Sequence, residues 1–191
     1  MLHRQQGIAT LITLIALVIM LIAAVALVRS TNVSQVAAGN LAFRRDLTNR
    51  AEYATNKVDS LFGTGGTLND ATARQSNSAS NNYSATTLAT DAASGLPSVL
   101  LSSDATFSGT WTGADIDAGD GVTVRYIIDR LCNATGAPTA SNCANGLTQF
   151  DTSGSAGETK AGGSFAPVYR VSIRVSGPKN TQAFVQTTFV Q

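Results

Sequence analysis

An uninterrupted apolar stretch lies close to the N-terminus of the chain. From Ile8 to Val28 there are 21 residues without a charged side chain. A helix of that length is about 31 Å long, which matches the roughly 30 Å hydrocarbon core of a bilayer. A buried helix of a globular domain seldom stays apolar on every face for so many turns. The pattern therefore predicts a transmembrane helix over residues 8–28.

A removable secretory signal is the alternative interpretation of this stretch. Residues 24–26, Ala-Val-Ala, form the small-x-small pattern that signal peptidase accepts. The stretch is longer than the roughly 7–15 residue apolar region of such signals, which favours a retained anchor. Arg4 precedes the span and three arginines follow it between residues 29 and 45, so the charges do not indicate which end lies in the cytoplasm.

Helical patterning continues after the apolar stretch. Apolar and small residues recur close to every 3.6 residues, at Val33, Ala37, Leu41, Leu47, Ala51, Ala54, Val58 and Leu61. Asp46 and Arg50 have the i to i+4 spacing of a helical ion pair. The pattern ends at Phe62–Gly66, where glycines stop a helix. Residues 29–62 are therefore predicted to form an amphipathic continuation of the same helix.

A polar region, residues 63–121, follows the predicted helix. It is rich in Ser, Thr, Asn, Ala and Gly, and it contains only short apolar runs such as Ser98–Leu101. This composition predicts a variable connecting region with some short strands or turns. Loops of such length are usually functional or mobile.

Strand patterning occupies the C-terminal part of the chain. Three runs have the alternation or the composition of strands: Val122–Ile128, Val168–Val175 and 182–190. A turn at Ser176–Asn180 joins the last two runs, which predicts an antiparallel hairpin. A sheet with one apolar face needs a cover, and the amphipathic helix is the only large candidate. The predicted fold class is α+β, with a long N-terminal helix packed on an antiparallel sheet over residues 122–191.

Composition limits the chemistry that the chain can perform. His3 is the only histidine and there are two cysteines, so neither a Ser-His-Asp or Cys-His catalytic system nor a zinc site can be assembled. The acidic run Asp115–Gly121 lacks the glycine and the glutamate that a calcium loop has at its sixth and twelfth positions. We therefore expect no enzymatic activity, no metal and no cofactor, and we expect the acidic run to form a turn into the Val122 strand, with weak calcium binding as the alternative.

A nucleic-acid interface would use four basic residues of the predicted strands and of the turn that joins the last two: Arg125, Arg170, Arg174 and Lys179. Only 13% of residues are charged, and the formal net charge is +1. Aromatic residues are not interleaved with these cations, as they are in many nucleic-acid-binding surfaces. Nucleic acid is therefore not an expected partner, and we expect solvated strand charges that protect an exposed edge.

Cys132 and Cys143 enclose a loop that contains glycine and proline. In a cell-envelope compartment, two cysteines with this spacing are expected to form a disulfide. The bond would staple the connection that follows the Val122 strand. A contact between this loop and a partner is the alternative role.

Several N-terminal segments occur in a recognisable order. They are a polar leader, Arg4–Gly7, the apolar helix, and the segments Arg29–Val33 and Ala38–Phe43. Over about residues 4–60 they resemble the N-terminal domain of PilX-type minor pilins, which are type IV pilus assembly proteins. Tyr169–Asn180 is more loosely similar to the last hairpin of that family, and the segment between shows no resemblance.

The resemblance implies a maturation step and a location. Residues 1–7 would be a leader that prepilin peptidase removes on the cytoplasmic side, between Gly7 and Ile8. The protein would then be a single-pass protein of the inner membrane with its head in the periplasm, and later part of the pilus. Its partners would be other minor and major pilins, through the N-terminal helix, and a possible tip adhesin.

One position departs from the pattern of major pilins, which carry glutamate at the fifth mature residue. Here that residue is Ile12. A carboxylate there can neutralise the buried α-ammonium of a neighbouring subunit, which is otherwise costly in an apolar bundle. Other PilX-like and GspK-like minor subunits resemble this chain in lacking the acid. We expect a place at or near the filament tip, because a subunit without a predecessor does not need the acid.

In the alternative interpretation of this position, Thr10 or Thr13 partly solvates the ammonium and the place in the filament is unrestricted. The expected function is that of a minor pilin that helps to initiate or cap filament assembly by helix packing. The alternatives are a tip adhesin or binding module, using residues 64–121 or the cysteine loop, and a GspK-like pseudopilin of a type II secretion system.

Overall fold

The structure is a computed structural model that describes residues 6–146 and 165–191. Residues 1–5 of the expected leader and the stretch 147–164 lie outside the described residues. The chain divides into two compact units, Met1–Arg45 and Asp46–Gln191. The described part of the first unit, from Gln6, is helical, and the second unit contains the sheet and the hydrophobic core.

Two consecutive helices, α1 (Gln6–Arg50) and α2 (Glu52–Phe62), make up the predicted helical region. A turn at Ala51 separates them. The predicted end at Phe62 is confirmed. A Cβ on Gly66 would lie only 2.2 Å from the carbonyl oxygen of Leu61, because the chain turns back closely over the end of the helix. Glycine is required at this position by the lack of space.

Over residues 6–146 and 165–191 the sheet has five strands: β1 (Tyr83–Ser84), β2 (Ile116–Asp117), β3 (Thr123–Arg130), β4 (Val168–Gly177) and β5 (Thr181–Val190). Their order is β1-β3-β4-β5, and β2 also pairs with β3. The predicted hairpin is confirmed, because β4 and β5 pair antiparallel. The sheet as a whole is mixed, because β1 pairs parallel with β3.

One face of the sheet is apolar and is covered by α2. Alternation along β4 places Tyr169, Val171, Ile173 and Val175 on this face, as predicted, and all four are buried. The helix contributes Ala54, Val58, Leu61 and Phe62. The α+β class is therefore confirmed, with the C-terminal end of the helical region packed on a C-terminal sheet.

The opposite face of the sheet is also covered, by part of the region that the sequence predicted as connecting. Two short helices lie there, α3 (Ser98–Leu101) and α4 (Asp104–Ser108). Leu100, Phe107 and Trp111 pack with Ile127 of β3 in one cluster. Every residue of β3 after Thr123 is therefore buried.

Together with Leu88 and Trp111, α3 and α4 form a second layer on the sheet, and arginines of the central strands lie beneath it. Arg125 and Arg174 are 8% and 7% exposed. They stand directly opposite each other on β3 and β4, an arrangement in which like charges repel. Asp104 compensates both, because each guanidinium donates to its Oδ1 over 2.7 Å. These hydrogen bonds hold the pKa of Asp104 below its ordinary value. The hydrogen bond from Arg174 has the larger effect, and that from Arg125 the smaller.

The expectation that the strand arginines are solvated is therefore wrong for these positions. Arg125 also forms two hydrogen bonds with Asp115, of 2.7 and 2.6 Å. Arg170 pairs with Asp129, the residue opposite it on β3, over 2.9 and 2.5 Å. Only Lys179, in the turn between β4 and β5, is exposed as expected. Acids from β3 and from the polar region that covers the sheet neutralise the arginines.

Candidate interaction surfaces

The N-terminal part of α1 has an apolar surface that is exposed among the residues that the structure describes. Fourteen large apolar side chains between Ile8 and Val28 are exposed, with fractions from 47% at Val18 to 74% at Met20. The mean hydropathy of the most apolar 18-residue window is 3.2, and none of this window is buried. Burying one such side chain fully is worth roughly 1.5–3 kcal/mol. Exposure of these side chains to water is therefore unfavourable, and we expect lipid or other helices to cover them.

The polar groups of this segment are compatible with an apolar surrounding. Thr10 and Thr13 are its only residues with polar side chains. The hydroxyl of Thr13 donates to the carbonyl oxygen of Thr10 over 2.9 Å. Past the apolar stretch, Thr31 and Ser34 donate in the same way to Val28 and Ser30. A hydroxyl satisfied within its own helix costs little in a membrane or a helix bundle.

A stripe of small residues, which is not among the sequence-based predictions, runs along the same helix. Ala9, Ala16 and Ala23 are seven residues apart, and Ser30 and Ala37 continue the spacing. Seven residues are close to two helical turns, so these positions share one face. Small residues on one face allow two helix backbones to approach closely. The seven-residue spacing of small residues in the sequence is thus a signal for a helix-packing face.

The expected processing site and the position without an acid both lie in α1. Gly7 and Ile8 are within the helix. Ile8 and Ile12 are 62% and 59% exposed. Their i to i+4 spacing places both on one face of the helix. An amino group created at Ile8 would therefore lie about one helical turn from a sec-butyl side chain that carries no charge.

The acids of the run Asp115–Gly121 are bound to arginines or to the backbone. Arg50, the last residue of α1, donates to Asp120 over 2.7 Å and to the carbonyl oxygens of Ala118 and Gly119. Asp117 accepts a hydrogen bond from Gly119 N. Over residues 6–146 and 165–191 no three His, Cys, Asp or Glu residues come together as metal ligands. These contacts therefore hold the run, which leads into β3, against the last residue of α1.

The predicted disulfide between Cys132 and Cys143 is confirmed, with an S–S distance of 2.00 Å. A buried arginine, Arg130, supports the loop between the cysteines. Its Nη2 donates to the carbonyl oxygens of Ala134 and Gly136, and its Nε donates to that of Ala85. Burial of Arg130 could not be predicted from the strand pattern, because an arginine at the end of a strand is usually solvated.

Comparison of the chain with models of protein families, with curated proteins and with solved structures found no match.

Proposed function

We propose that this chain is a minor pilin of a type IV pilus, stored in the inner membrane and matured by removal of residues 1–7. Its helix would leave the bilayer and join a bundle of pilin helices, helping to initiate or cap the filament. The action is one of packing rather than catalysis. The observation that carries the proposal is the set of fourteen exposed apolar side chains on α1.

The transfer from lipid to helix bundle is physically reasonable for this helix. Its side chains are apolar on all faces, so lipid and pilin helices are equivalent surroundings for most of them. The stripe Ala9, Ala16 and Ala23 favours helices as neighbours, because close packing gains dispersion energy that lipid chains do not supply. Leu47, at the other end of α1, is fully buried in the second compact unit. The last residues of α1 therefore belong to the second compact unit.

The residue at position 12 supports a place at or near the filament tip. Ile12 has no group that could pair with an α-ammonium. An unpaired ammonium in an apolar bundle costs several kcal/mol. A subunit placed first avoids this cost, because it has no predecessor whose ammonium must be neutralised.

The mature N-terminus is the first test of the proposal. We expect the mass of the protein from envelope membranes and from sheared filaments to correspond to a chain that starts at Ile8. Gly7→Leu should leave the leader attached, whereas Ala26→Leu should still give a chain that starts at Ile8. A start at Leu27, abolished by Ala26→Leu, would indicate a secretory signal and refute the proposal.

Deletion of the gene is a separate test of the function and should abolish surface filaments. Arrest of protein export with normal filaments would instead identify a pseudopilin of a type II secretion system.

The charge at position 12 gives a second prediction. Ile12→Glu should raise the number of copies per filament several-fold, because the carboxylate can neutralise a neighbouring ammonium and allow incorporation along the shaft. The number is measured by quantitative immunoblotting of sheared filaments and by immunogold labelling along them. Ile12→Gln is the matched control, because glutamine has nearly the shape of glutamate but no charge. Its copy number per filament should remain at the wild-type level. Equal copy numbers for both variants would show that the missing acid does not restrict the position.

A further inference from the structure

A polar cavity lies at one end of the sheet, on the face covered by α3 and α4. Its volume is about 410 Å³, within the roughly 300–1,000 Å³ of small-molecule sites. The walls are formed by the α3–α4 junction, the start of β3, the end of β4 and the start of β5. Nine of the ten lining residues are polar, and Leu101 is the exception. A lining of this kind suits a polar ligand rather than an apolar one.

A fixed hydrogen-bond acceptor stands in this cavity. Oδ1 of Asp104 accepts from the two buried guanidiniums of Arg125 and Arg174. Within the described part of the chain, its Oδ2 forms no hydrogen bond, and 78% of the side chain is exposed. The carboxylate is therefore held in one orientation and presents a free oxygen. Such preorganisation lowers the entropy cost of binding a ligand.

Further donors and acceptors surround this oxygen. Four side chains of the lining form no side-chain hydrogen bond to any described residue: Thr123, Ser176, Asn180 and Gln182. They supply two hydroxyls and two amides, which both donate and accept. Arg174, more than nine-tenths buried in the wall, has an Nε with no partner among the residues the structure describes.

The charge balance of the cavity decides the class of ligand. Two carboxylates, Asp104 and Asp115, are matched by two guanidiniums, Arg125 and Arg174. The site thus has no excess charge with which to hold a metal ion, a phosphate or a carboxylate ligand. A sugar hydroxyl both donates and accepts, as this set of side chains requires. The half-exposed side chain of Leu101 provides an apolar contact for the C–H face of a ring.

We propose that this cavity binds a neutral carbohydrate, with Asp104 Oδ2 accepting from one hydroxyl and Gln182 and Asn180 contacting others. The site belongs to the head alone and does not depend on the assembly role proposed above. It would let the head contact a glycan-covered surface.

The test uses the full-length protein in nonionic detergent micelles. Saturation-transfer NMR is recorded with lactose, chitobiose and mannobiose, and with sialyllactose as the charged comparison. At least one neutral disaccharide is expected to bind, and Gln182→Ala and Asp104→Asn should each weaken it by about tenfold or more, as expected for the loss of a hydrogen bond to a charged or fixed group. Asp104→Asn keeps the side-chain volume and an acceptor for the arginines.

Thr188→Ala is the matched control for Gln182→Ala. Both residues are exposed on β5, but Thr188 lies outside the cavity. It should leave the affinity unchanged. Gln182 takes no part in the arginine network, so its variant keeps the test valid if Asp104→Asn unfolds. The proposal is overturned if no neutral disaccharide binds, if only sialyllactose binds, or if Gln182→Ala leaves the affinity within twofold of wild type.

Discussion

Asp129→Ala is expected to lower the free energy of unfolding of the head by about 3–5 kcal/mol, as is typical when one partner of a buried ion pair is removed. Asp129 is fully buried, and its carboxylate accepts two hydrogen bonds from Arg170 and one from the backbone N–H of Leu88. The substitution leaves a largely buried guanidinium without its counter-charge. It also detaches the second layer from β3 at Leu88.

Urea titration of the full-length protein in nonionic micelles measures this loss. The single tryptophan, Trp111, is buried in the second layer and reports its unfolding by fluorescence. Asp46→Ala is the matched control, because it removes an acid from the exposed i to i+4 pair with Arg50 and should cost no more than about 0.5 kcal/mol. Asp129→Leu combined with Arg170→Met should recover part of the loss, since the unpaired charge is gone. A cost of Asp129→Ala below that of Asp46→Ala would contradict this account of the pair.

Phe62→Ala should be the second severe substitution, with a loss of about 3–5 kcal/mol. Phe62 is buried at the end of α2. Its ring meets Tyr169 and Phe189 edge to face at centroid distances of 5.1 and 5.0 Å, and Tyr83 at 6.3 Å. Aromatic pairs of this geometry add roughly 0.5–1.5 kcal/mol each to the burial of area. The side chain therefore holds the helix against β1, β4 and β5 together.

The same urea titration separates packing from helix propensity. Tyr53 lies on α2 but is half exposed, so Tyr53→Ala should change the free energy of unfolding by only about 0.5 kcal/mol. Phe62→Leu keeps much of the volume and should fall between the two. Equal costs for Phe62→Ala and Tyr53→Ala would mean that the aromatic cluster does not hold α2 on the sheet.

The elements that sequence reasoning predicted correctly have local signals. The apolar stretch 8–28, the stop after Phe62 and the alternation in β4 each depend on neighbouring residues only. The disulfide followed from two cysteines and the expected compartment. In these cases periodicity and turn chemistry determine the structure.

The second layer had no such signal. Its helices are four and five residues long, too short for a helical period to be visible. Arg125 and Arg174 have the spacing of solvated strand residues, and the acid that neutralises them, Asp104, lies 21 and 70 residues away in the chain. Only the fold brings the three together, so burial of the charges could not be predicted from the strand pattern. The polar cavity depends on the same long-range contacts and was missed for the same reason.

The division of the chain at residue 46 has a practical consequence for crystallography. Asp46–Gln191 is a compact unit that contains the core, both layers over the sheet and the disulfide. A shortened polypeptide that starts at Asp46 and is secreted into an oxidising compartment should therefore yield crystals of the head without detergent, with the sugar-sized cavity open to soaking.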